Sequence, residues 1–229
     1  MTGSSLEDGG SLEERLTGVR SRIEDAARET GRRGDELTLI VVTKFQPIGL
    51  LRGLAALGIH DFGENRHQEA RDKAAELPGE RWHFVGQLQG KKARQVRAYA
   101  HVVHSVDRSA LVPALSGGAS PLDVFLQINL TPDPARGGVQ PADASALAAE
   151  IAAAPDLRLL GVMAVAPLGE EPRRAFDRLA GVGEEVRRTI PEATAMSAGM
   201  SGDFEDAIRS GATHLRIGTA ITGPRPAPQ

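Results

Sequence analysis

Short apolar runs alternate along the chain with longer segments that are rich in Ala, Leu, Glu and Arg. Several runs are rich in β-branched residues, as is typical of strands buried on both faces of a parallel sheet, and the segments between them are long enough to form helices. The apolar runs lie at residues 37–43, 59–62, 82–85, 102–106, 124–130, 157–165, 193–196 and 214–217. The helical segments include residues 47–57, 66–77, 91–100, 141–154 and 172–190. This alternation predicts a parallel α/β fold with right-handed crossovers.

The number of strands indicates a closed barrel. Eight parallel strands with helices between them make up a (β/α)8 TIM-type barrel, in which all strands end at one common rim. A doubly wound open sheet is the structural alternative. A further helical pattern at residues 12–33 precedes the first strand, and we expect this helix to fill the outer position after the eighth strand, which only a Pro-rich tail follows. The predicted organisation is one barrel domain at residues 11–223 between disordered ends at 1–10 and 224–229.

Composition restricts the class of protein. Lys and Arg total 27 against 30 Asp and Glu, and the formal net charge of −3 does not favour binding to nucleic acid or to an anionic membrane. The chain has no cysteine, which excludes disulfides, thiolate catalysis and thiolate zinc sites. The sequence shows neither a signal peptide nor an apolar segment long enough to span a bilayer. We therefore expect a cytoplasmic protein, and the lack of a long apolar surface stripe favours a monomer.

Lys44 follows the first apolar run directly. Because parallel barrels build their sites at the carboxyl ends of the strands, this ammonium lies where a site is expected. A lysine that is withdrawn from water loses its proton more readily than a solvated one, and the free amine condenses with aldehydes. The alternative is an ordinary lysine at the end of a strand that extends into solvent.

Polar residues also end or follow the other predicted strands. They are Gly63, Glu64, Asn65, Gln87, Ser105, Asp107 and Asn129. After the last two strands, the segment 197–203 and the pair Gly218-Thr219 supply hydroxyl groups, glycines and the start of a helix near residue 204. Barrel enzymes hold phosphate groups with such donors in these two loops. Ser201 and Asp203 have an alternative interpretation as caps of that helix.

Arg216 is predicted to point into the barrel. Strand alternation places Leu215 and Ile217 on one face and Arg216 on the other, so the arginine faces inward if the apolar pair packs on the helices. A buried guanidinium needs an acceptor, which is either a core acid such as Asp107 or a ligand. A Schiff-base lysine, a phosphate cradle and an inward arginine together fit pyridoxal 5′-phosphate (PLP).

Six segments strongly resemble the pyridoxal phosphate homeostasis protein family, and they occur in the family's order. They lie at residues 42–44, 62–65, 82–89, 104–108, 200–205 and 216–221. The resemblance extends from about Leu12 to Gly223, which is nearly the whole chain. It implies a single barrel of the type III PLP-binding fold, related to the N-terminal domain of alanine racemase. It also implies that the protein holds PLP as a lysine aldimine and helps to control the free level of the cofactor in the cell.

The resemblance also implies which residues bind the cofactor. Lys44 matches the aldimine lysine, Arg216 would face the pyridine nitrogen, and Asn65 would lie beside the cofactor. The expected phosphate cradle consists of Ser197, Met200, Ser201, Gly218 and Thr219. No metal is implied, and PLP-dependent apoenzymes are the candidate recipients of the cofactor.

Two positions depart from the family pattern. Family members usually have a larger apolar residue where this chain has Ala198, and Ser/Thr-Asn-Lys where it has Gly90-Lys91-Lys92. The second departure puts any role of that loop in question. We interpret the basic cluster of Lys91, Lys92, Arg94 and Arg97 as a solvated helix face.

The predicted site favours cofactor binding over turnover. A guanidinium beside the pyridine nitrogen disfavours a proton there, and the ring is then a weaker electron sink. A racemase also needs a second acid or base opposite the lysine, and the only tyrosine, Tyr99, is late in a helix away from the rim. We expect a PLP carrier without catalytic residues. The alternative is a PLP-dependent, racemase-like enzyme.

Two further classes of enzyme have less support. A class I aldolase would use the lysine on its substrate without a cofactor. A metal hydrolase would need clustered ligands, but His101 and His104 are predicted to face opposite sides of a strand. His83 is expected to line the barrel as an internally paired histidine rather than as a metal ligand.

Overall fold

The computed structural model describes residues 10–224, in which eight parallel strands pair in chain order and close into a barrel. The strands are β1 (Thr38–Val42), β2 (Asp61–Glu64), β3 (Arg81–Phe84), β4 (Val102–Val106), β5 (Leu122–Gln127), β6 (Leu157–Met163), β7 (Ala195–Ser197) and β8 (His214–Ile217). The helices are α1 (Leu12–Glu29), α2 (Ile48–Ala56), α3 (His67–Glu76), α4 (Gly90–Arg97), α5 (Leu111–Leu115), α6 (Ala144–Ala152), α7 (Pro172–Thr189), α8 (Phe204–Arg209) and α9 (Thr219–Thr222).

The barrel closes between its first and last strands. β1 pairs with β8 from Thr38 opposite His214 to Val41 opposite Ile217. This pairing confirms the predicted (β/α)8 barrel and excludes the open sheet. It also places the residues after β1 beside those after β8.

Most predicted elements are present, with differences at their ends. β2 includes Gly63 and Glu64, which were predicted to follow the strand, and β7 is shifted by one or two residues toward its carboxyl end. The short helices α5 and α9 were not predicted, because four or five residues are too few to show a helical period. α9 also corrects the expectation that only a Pro-rich tail follows β8.

Helix α1 fills the outer position near β8, as expected. Ser11 and Glu14 form a capping box at its start, with hydrogen bonds of 3.2 Å and 2.6 Å between each side chain and the other residue's backbone N–H. The buried face of α1 contributes to the core, and Arg15 Nε donates a 2.8 Å hydrogen bond to the Ile221 carbonyl in α9. Arg22 pairs with Glu205 of α8.

The apolar core has two parts. The larger part lies between the strands and the helices and includes Phe62 and Trp82. The smaller part lies inside the barrel and contains the buried residues Val102, Phe125 and Met163. Beside this small cluster, the interior holds buried histidines and an arginine, so much of it is polar.

No helix within residues 10–224 has both the length and the apolar character needed to cross a membrane. The ends that we expected to be disordered, 1–10 and 224–229, lie outside the described residues except for Gly10 and Pro224, both of which are exposed.

Candidate functional site

Lys44 lies at the carboxyl rim of the barrel, two residues beyond β1. Its side chain is exposed, so the structure does not show the withdrawal from water that we expected. Within residues 10–224, no group forms a hydrogen bond or an ion pair with its ammonium. A Cβ atom on Gly218 would lie 3.3 Å from the carbonyl oxygen of Val42, so the ends of β1 and β8 approach closely here. The structure therefore brings Lys44 to the end of the barrel where the Gly218-Thr219 loop begins.

A buried cluster of charges holds the backbone on either side of Lys44. Lys73 Nζ in α3 donates to the Thr43 carbonyl at 2.8 Å, to Glu64 Oε1 at 2.7 Å and to Glu69 Oε1 at 2.6 Å. Thr43 Oγ1 donates to Glu64 Oε1 at 2.7 Å, and the Phe45 N–H donates to Glu69 Oε1 at 2.5 Å. We call Glu64, Glu69 and Lys73 the carboxylate–lysine clamp.

The clamp stabilises a backbone conformation that a non-glycine residue rarely adopts. Phe45 has a φ of 66°, in the left-handed region. Burial raises the pKa of Glu64, and the charge of Lys73 and its hydrogen bond oppose that shift. The clamp fixes the backbone at residues 43 and 45 and leaves the Lys44 side chain free at the rim. Sequence reasoning missed Lys73 because it lies on a helix, 29 residues after Lys44.

The loops after β7 and β8 meet at the same rim. Ser201 Oγ accepts hydrogen bonds from the Ala220 N–H at 3.2 Å and from Thr219 Oγ1 at 3.3 Å. Gly199 has a φ of +91°, and a Cβ atom there would lie 2.8 Å from Phe204 Cα. Its carbonyl accepts a 2.9 Å hydrogen bond from the Arg216 N–H. The predicted cradle residues of the two loops are thus in contact.

Two details of these loops differ from the expectations. Asp203 precedes α8, but its carboxylate does not cap the helix within the described structure. It accepts a 2.6 Å hydrogen bond from the Met200 N–H, the donor that the family resemblance assigns to phosphate. Burial raises the pKa of Asp203. The Ser201 hydroxyl joins the two loops rather than capping α8.

Arg216 points into the barrel, as predicted, and is 5% exposed. Nη1 donates to Ser197 Oγ at 2.5 Å and Nη2 donates to the Ala164 carbonyl at 2.8 Å. Burial lowers its pKa to about 10, against the opposing charge of Asp203, and the guanidinium remains protonated at neutral pH. The suggested pairing with Asp107 was wrong, because the Asp107 carboxylate contacts Arg108 and the Gly138 N–H.

A continuous chain of hydrogen bonds leads from Arg216 along the barrel interior. Ser197 Oγ lies 2.8 Å from His104 Nδ1, His104 Nε2 lies 3.0 Å from His83 Nδ1, and His83 Nε2 lies 2.8 Å from Asp61 Oδ1. His83 is the interior, internally paired histidine that we expected. The roles of His104 and Asp61 were missed. β3 and β4 pair with His83 opposite Val102, so His104, two residues further along β4, also faces inward. Sequence reasoning missed this signal because it depends on the pairing of the strands.

Asn65 follows β2 at the same rim. Its Oδ1 is buried and has no hydrogen-bond partner within residues 10–224. A Cβ atom on Gly86 would lie 2.3 Å from the Asn65 carbonyl oxygen, so the glycine allows these two loops to approach. A buried acceptor without a partner is uncommon in a folded protein and is consistent with a place for a ligand.

The predicted site residues therefore come from four neighbouring strands, in the order β7, β8, β1 and β2. They are Ser197, Met200, Ser201, Arg216, Gly218, Thr219, Lys44 and Asn65. Other predicted rim residues have local roles. Asn129 binds Thr131 within its own loop, and Ser105 lies inside β4 rather than at its end.

Two groups near α4 lie away from this site. Tyr99 stacks on His67 with ring centroids 5.8 Å apart and packs against the outer core. Burial raises the pKa of its hydroxyl. We had interpreted Arg97 as part of a solvated helix face, and this was wrong. Its buried side chain pairs with Asp156 at 3.0 Å. It lines a cavity of about 1070 Å³ near the opposite, amino-terminal ends of the strands.

Comparisons with known proteins agree with this geometry. Residues 19–226 match the family of alanine racemase N-terminal domains. A pyridoxal phosphate homeostasis protein of Mycobacterium leprae (strain TN) is 39% identical over 233 residues, which cover 91% of this chain and 91% of that protein.

Solved structures show the same fold. The structure of PipY from Synechococcus elongatus PCC7942 with PLP bound has a TM-score of 0.82 at 33% identity and covers 93% of this chain and 100% of that chain. Alanine racemase from Corynebacterium glutamicum has a TM-score of 0.71 at 16% identity, with 93% of this chain and 62% of that chain covered, a likeness of fold alone. The extent and identity of these matches show that the chain belongs to the pyridoxal phosphate homeostasis protein family, among the alanine racemase N-terminal domains.

Proposed function

We propose that this protein binds PLP at the rim formed by β7, β8, β1 and β2, and that it acts in PLP homeostasis by storing and transferring the cofactor. In this proposal Lys44 holds PLP as a Schiff base. The observation that carries the proposal is the exposed amine of Lys44, which has no partner within residues 10–224. The backbone on both sides of Lys44 is fixed by the clamp, and the lysine lies next to a loop pair rich in N–H and hydroxyl donors. The names of the relatives and the PLP-bound PipY structure support the choice of cofactor.

The residues at the rim fit this cofactor. Ser201 and the backbone at Gly218 offer donors for a phosphate group, and the Thr219 hydroxyl and the Ala220 N–H would join them on release from Ser201 Oγ. The missing Cβ of Gly218 allows close approach. The unpartnered Oδ1 of Asn65 is an acceptor for a hydroxyl or N–H group of a ligand. Lys44 would hold the cofactor through its side-chain amine, and PLP would supply the aldehyde with which such an amine condenses with loss of water.

Arg216 is proposed to face the pyridine nitrogen. Its pKa of about 10 leaves the guanidinium cationic, and a cation there disfavours a second proton on the ring. The ring then withdraws less electron density from a bound amino acid. Tyr99, the only tyrosine, packs in the outer layer, so it does not supply an acid or base above the ring. We therefore propose little or no turnover of amino acids.

The attachment is tested by the absorption spectrum of the purified protein with PLP, before and after borohydride reduction, followed by peptide mapping. We expect a reducible adduct on Lys44 alone. Lys44→Ala should lose the adduct and remain folded, and the matched variant Lys91→Ala, which also removes an exposed lysine, should keep it. An adduct on another lysine, or one that persists in Lys44→Ala, would contradict the assignment.

The alternative function, that of a racemase-like enzyme, is tested by incubation of the PLP-loaded protein with each enantiomer of alanine. The proposal expects no conversion above that of free PLP. Racemisation that is lost in Lys44→Ala would favour the enzyme. Transfer to PLP-dependent apoenzymes, a monomeric state and a location in the cytoplasm stay predictions, and reactivation of an apoenzyme by the loaded protein is the measurement for the first of them.

A further inference from the structure

The hydrogen-bond chain inside the barrel has a single consistent direction when both of its histidines are neutral. At one end, a guanidinium can only donate, so Ser197 Oγ accepts from Arg216. At the other end, an ionised carboxylate can only accept, so His83 Nε2 donates to Asp61. Burial alone would raise the pKa of Asp61, but its hydrogen bond to His83 and the nearby positive charges outweigh burial and lower it.

When both buried rings are neutral, these two ends determine every proton between them. The Ser197 hydroxyl has one hydrogen and donates it to His104 Nδ1, so His104 carries its proton on Nε2. That N–H donates to His83 Nδ1, and His83 in turn carries its proton on Nε2. Every ring nitrogen of the two neutral rings is then paired. Their depth fits this state, since His83 and His104 are 1% and 0% exposed.

We propose that His104, supported by His83 and Asp61, is a positioning residue that orients the Ser197 hydroxyl and thereby directs the Arg216 guanidinium at the ring of the cofactor. The proposal rests on the proposed function, in which Arg216 faces the PLP pyridine nitrogen. It assigns a role to three side chains that do not touch the cofactor themselves.

The geometry explains why the position of Arg216 depends on this chain. Only two groups, Ser197 Oγ and the Ala164 carbonyl, accept hydrogen bonds from its guanidinium within the described residues. The Ala164 carbonyl belongs to the backbone and is fixed. The Ser197 hydroxyl rotates, and its hydrogen would be directed differently if His104 Nδ1 were absent. His104 therefore fixes the rotation of the Ser197 hydroxyl, whose oxygen accepts the hydrogen bond from Arg216 Nη1.

The groups around the chain favour the neutral rings. Burial lowers the pKa of His104 well below its usual value, and the charge of Arg216 lowers it further. His214 approaches His104 with ring centroids 6.5 Å apart, but its own Nδ1 contacts Thr213 Oγ1 at 2.8 Å. Arg81 lies 3.7 Å from Asp61 and supports the ionised carboxylate. His214 is thus close to the chain without being part of it.

The first test is nitrogen-detected NMR of the histidine side chains in the protein without PLP. The proposal expects both His83 and His104 to be neutral at pH 7 and protonated on Nε2. A proton on Nδ1 of either ring, or a charged ring, would overturn it. This measurement needs no cofactor, so its outcome is independent of whether the proposed function is correct.

The second test compares three variants for PLP affinity, for the absorption maximum of bound PLP, and for stability. His104→Phe removes the acceptor, and we expect a Kd about tenfold higher, equivalent to about 1.4 kcal/mol, together with a shifted maximum. His104→Asn places an amide oxygen near the position of Nδ1 and should restore both properties in part. His214→Phe, the matched control, should leave both unchanged.

A purely structural role for His104 would lower the stability of His104→Phe but leave the Kd and the maximum as in the parent protein, and this result would overturn the proposal. If His104→Phe does not fold, the NMR result and His104→Asn decide. Failure of the parent protein to bind PLP would instead refute the proposed function.

Discussion

The Nζ atom of Lys73 lies 2.8 Å from the backbone oxygen of Thr43, the residue that precedes Lys44. The same ammonium contacts Glu69, whose carboxylate accepts from the N–H of Phe45, the residue that follows Lys44. A helix thus fixes the chain on both sides of the proposed attachment lysine. The conformation of the rim at this point depends on a buried charge cluster as well as on the sheet.

Replacement of Lys73 by methionine should destabilise the protein and slow the capture of PLP. The variant leaves two carboxylates in the clamp without their cation, and removal of one partner of a buried ion pair typically costs about 3–5 kcal/mol. Urea unfolding and the rate of appearance of the PLP adduct measure the two effects. Arg71→Met on the same helix removes an exposed cation paired with Asp72 and should change stability by about 0.5 kcal/mol or less. Equal losses of stability and of capture rate in Lys73→Met and Arg71→Met would show that the clamp contributes no more than an exposed ion pair.

Gly218→Val should weaken the binding of PLP. A Cβ atom at residue 218 would lie 3.3 Å from the Val42 carbonyl oxygen, and the added methyl groups would fill the space through which a phosphate group approaches the loop. We expect at least a tenfold increase in Kd, about 1.4 kcal/mol, by titration of the absorption spectrum. Gly79→Val in the loop before β3, where a Cβ atom also meets nothing within 4 Å, is the matched control. Unchanged affinity in Gly218→Val would show that the Gly218-Thr219 loop does not bind the phosphate group.

Stability should fall between pH 6.5 and about pH 4 because of His214. Burial lowers the pKa of this histidine from 6.5 to about 4. In that window the unfolded chain binds a proton that the folded protein does not, so the contribution is complete above pH 6.5 and is lost as the pH falls toward 4. A shift from 6.5 to about 4 corresponds to about 3 kcal/mol in the free energy of unfolding.

Burial lowers the pKa of His83 and of His104 as well, and these shifts act in the same direction. Urea unfolding at a series of pH values should therefore show a steep loss of stability on acidification. The slope should be smaller in His214→Phe, which removes one titrating group. An identical slope in the variant and the parent protein would show that His214 does not titrate in this way.

The alternation of apolar runs and helical segments was sufficient to predict the barrel. It placed Lys44 and Arg216 correctly because both positions follow from the end of a strand and from strand parity. The same reasoning missed the clamp and the proton chain, since these join residues that are distant in the sequence. His104 and Ser197 are 93 positions apart, and only the closed sheet shows that they meet.

Local patterns were least informative where a polar residue had two possible partners. Asp107 and Arg216 were a plausible pair by charge, but the register of the strands gives Arg216 the Ser197 hydroxyl and the Ala164 carbonyl. Asp203 fits the sequence pattern of a helix cap, yet its carboxylate accepts from the Met200 N–H in the loop. Both choices depend on distances of a few ångströms, which no sequence pattern contains.

Asn65→Ala should separate binding from stability. In the described part of the chain, Oδ1 of Asn65 is buried without a partner, so removing it takes away an unsatisfied acceptor and should change the stability of the PLP-free protein by about 0.5 kcal/mol or less. If PLP supplies the missing donor, the loss of this hydrogen bond should raise the Kd about tenfold. Spectral titration and urea unfolding of the same preparation measure the two quantities.

Asn129→Ala is the contrasting variant. The Asn129 side chain accepts hydrogen bonds from the Thr131 N–H and Oγ1 and donates one to the Asp133 carbonyl at 2.8 Å. Its removal should destabilise the PLP-free protein by about 1–3 kcal/mol and leave the affinity of the folded protein for PLP unchanged. The two asparagines should thus show opposite effects, since the Asn129 side chain is paired within its own loop and Asn65 Oδ1 has no partner within residues 10–224. Equal affinity for PLP in Asn65→Ala and in the parent protein would show that the free acceptor does not contact the cofactor.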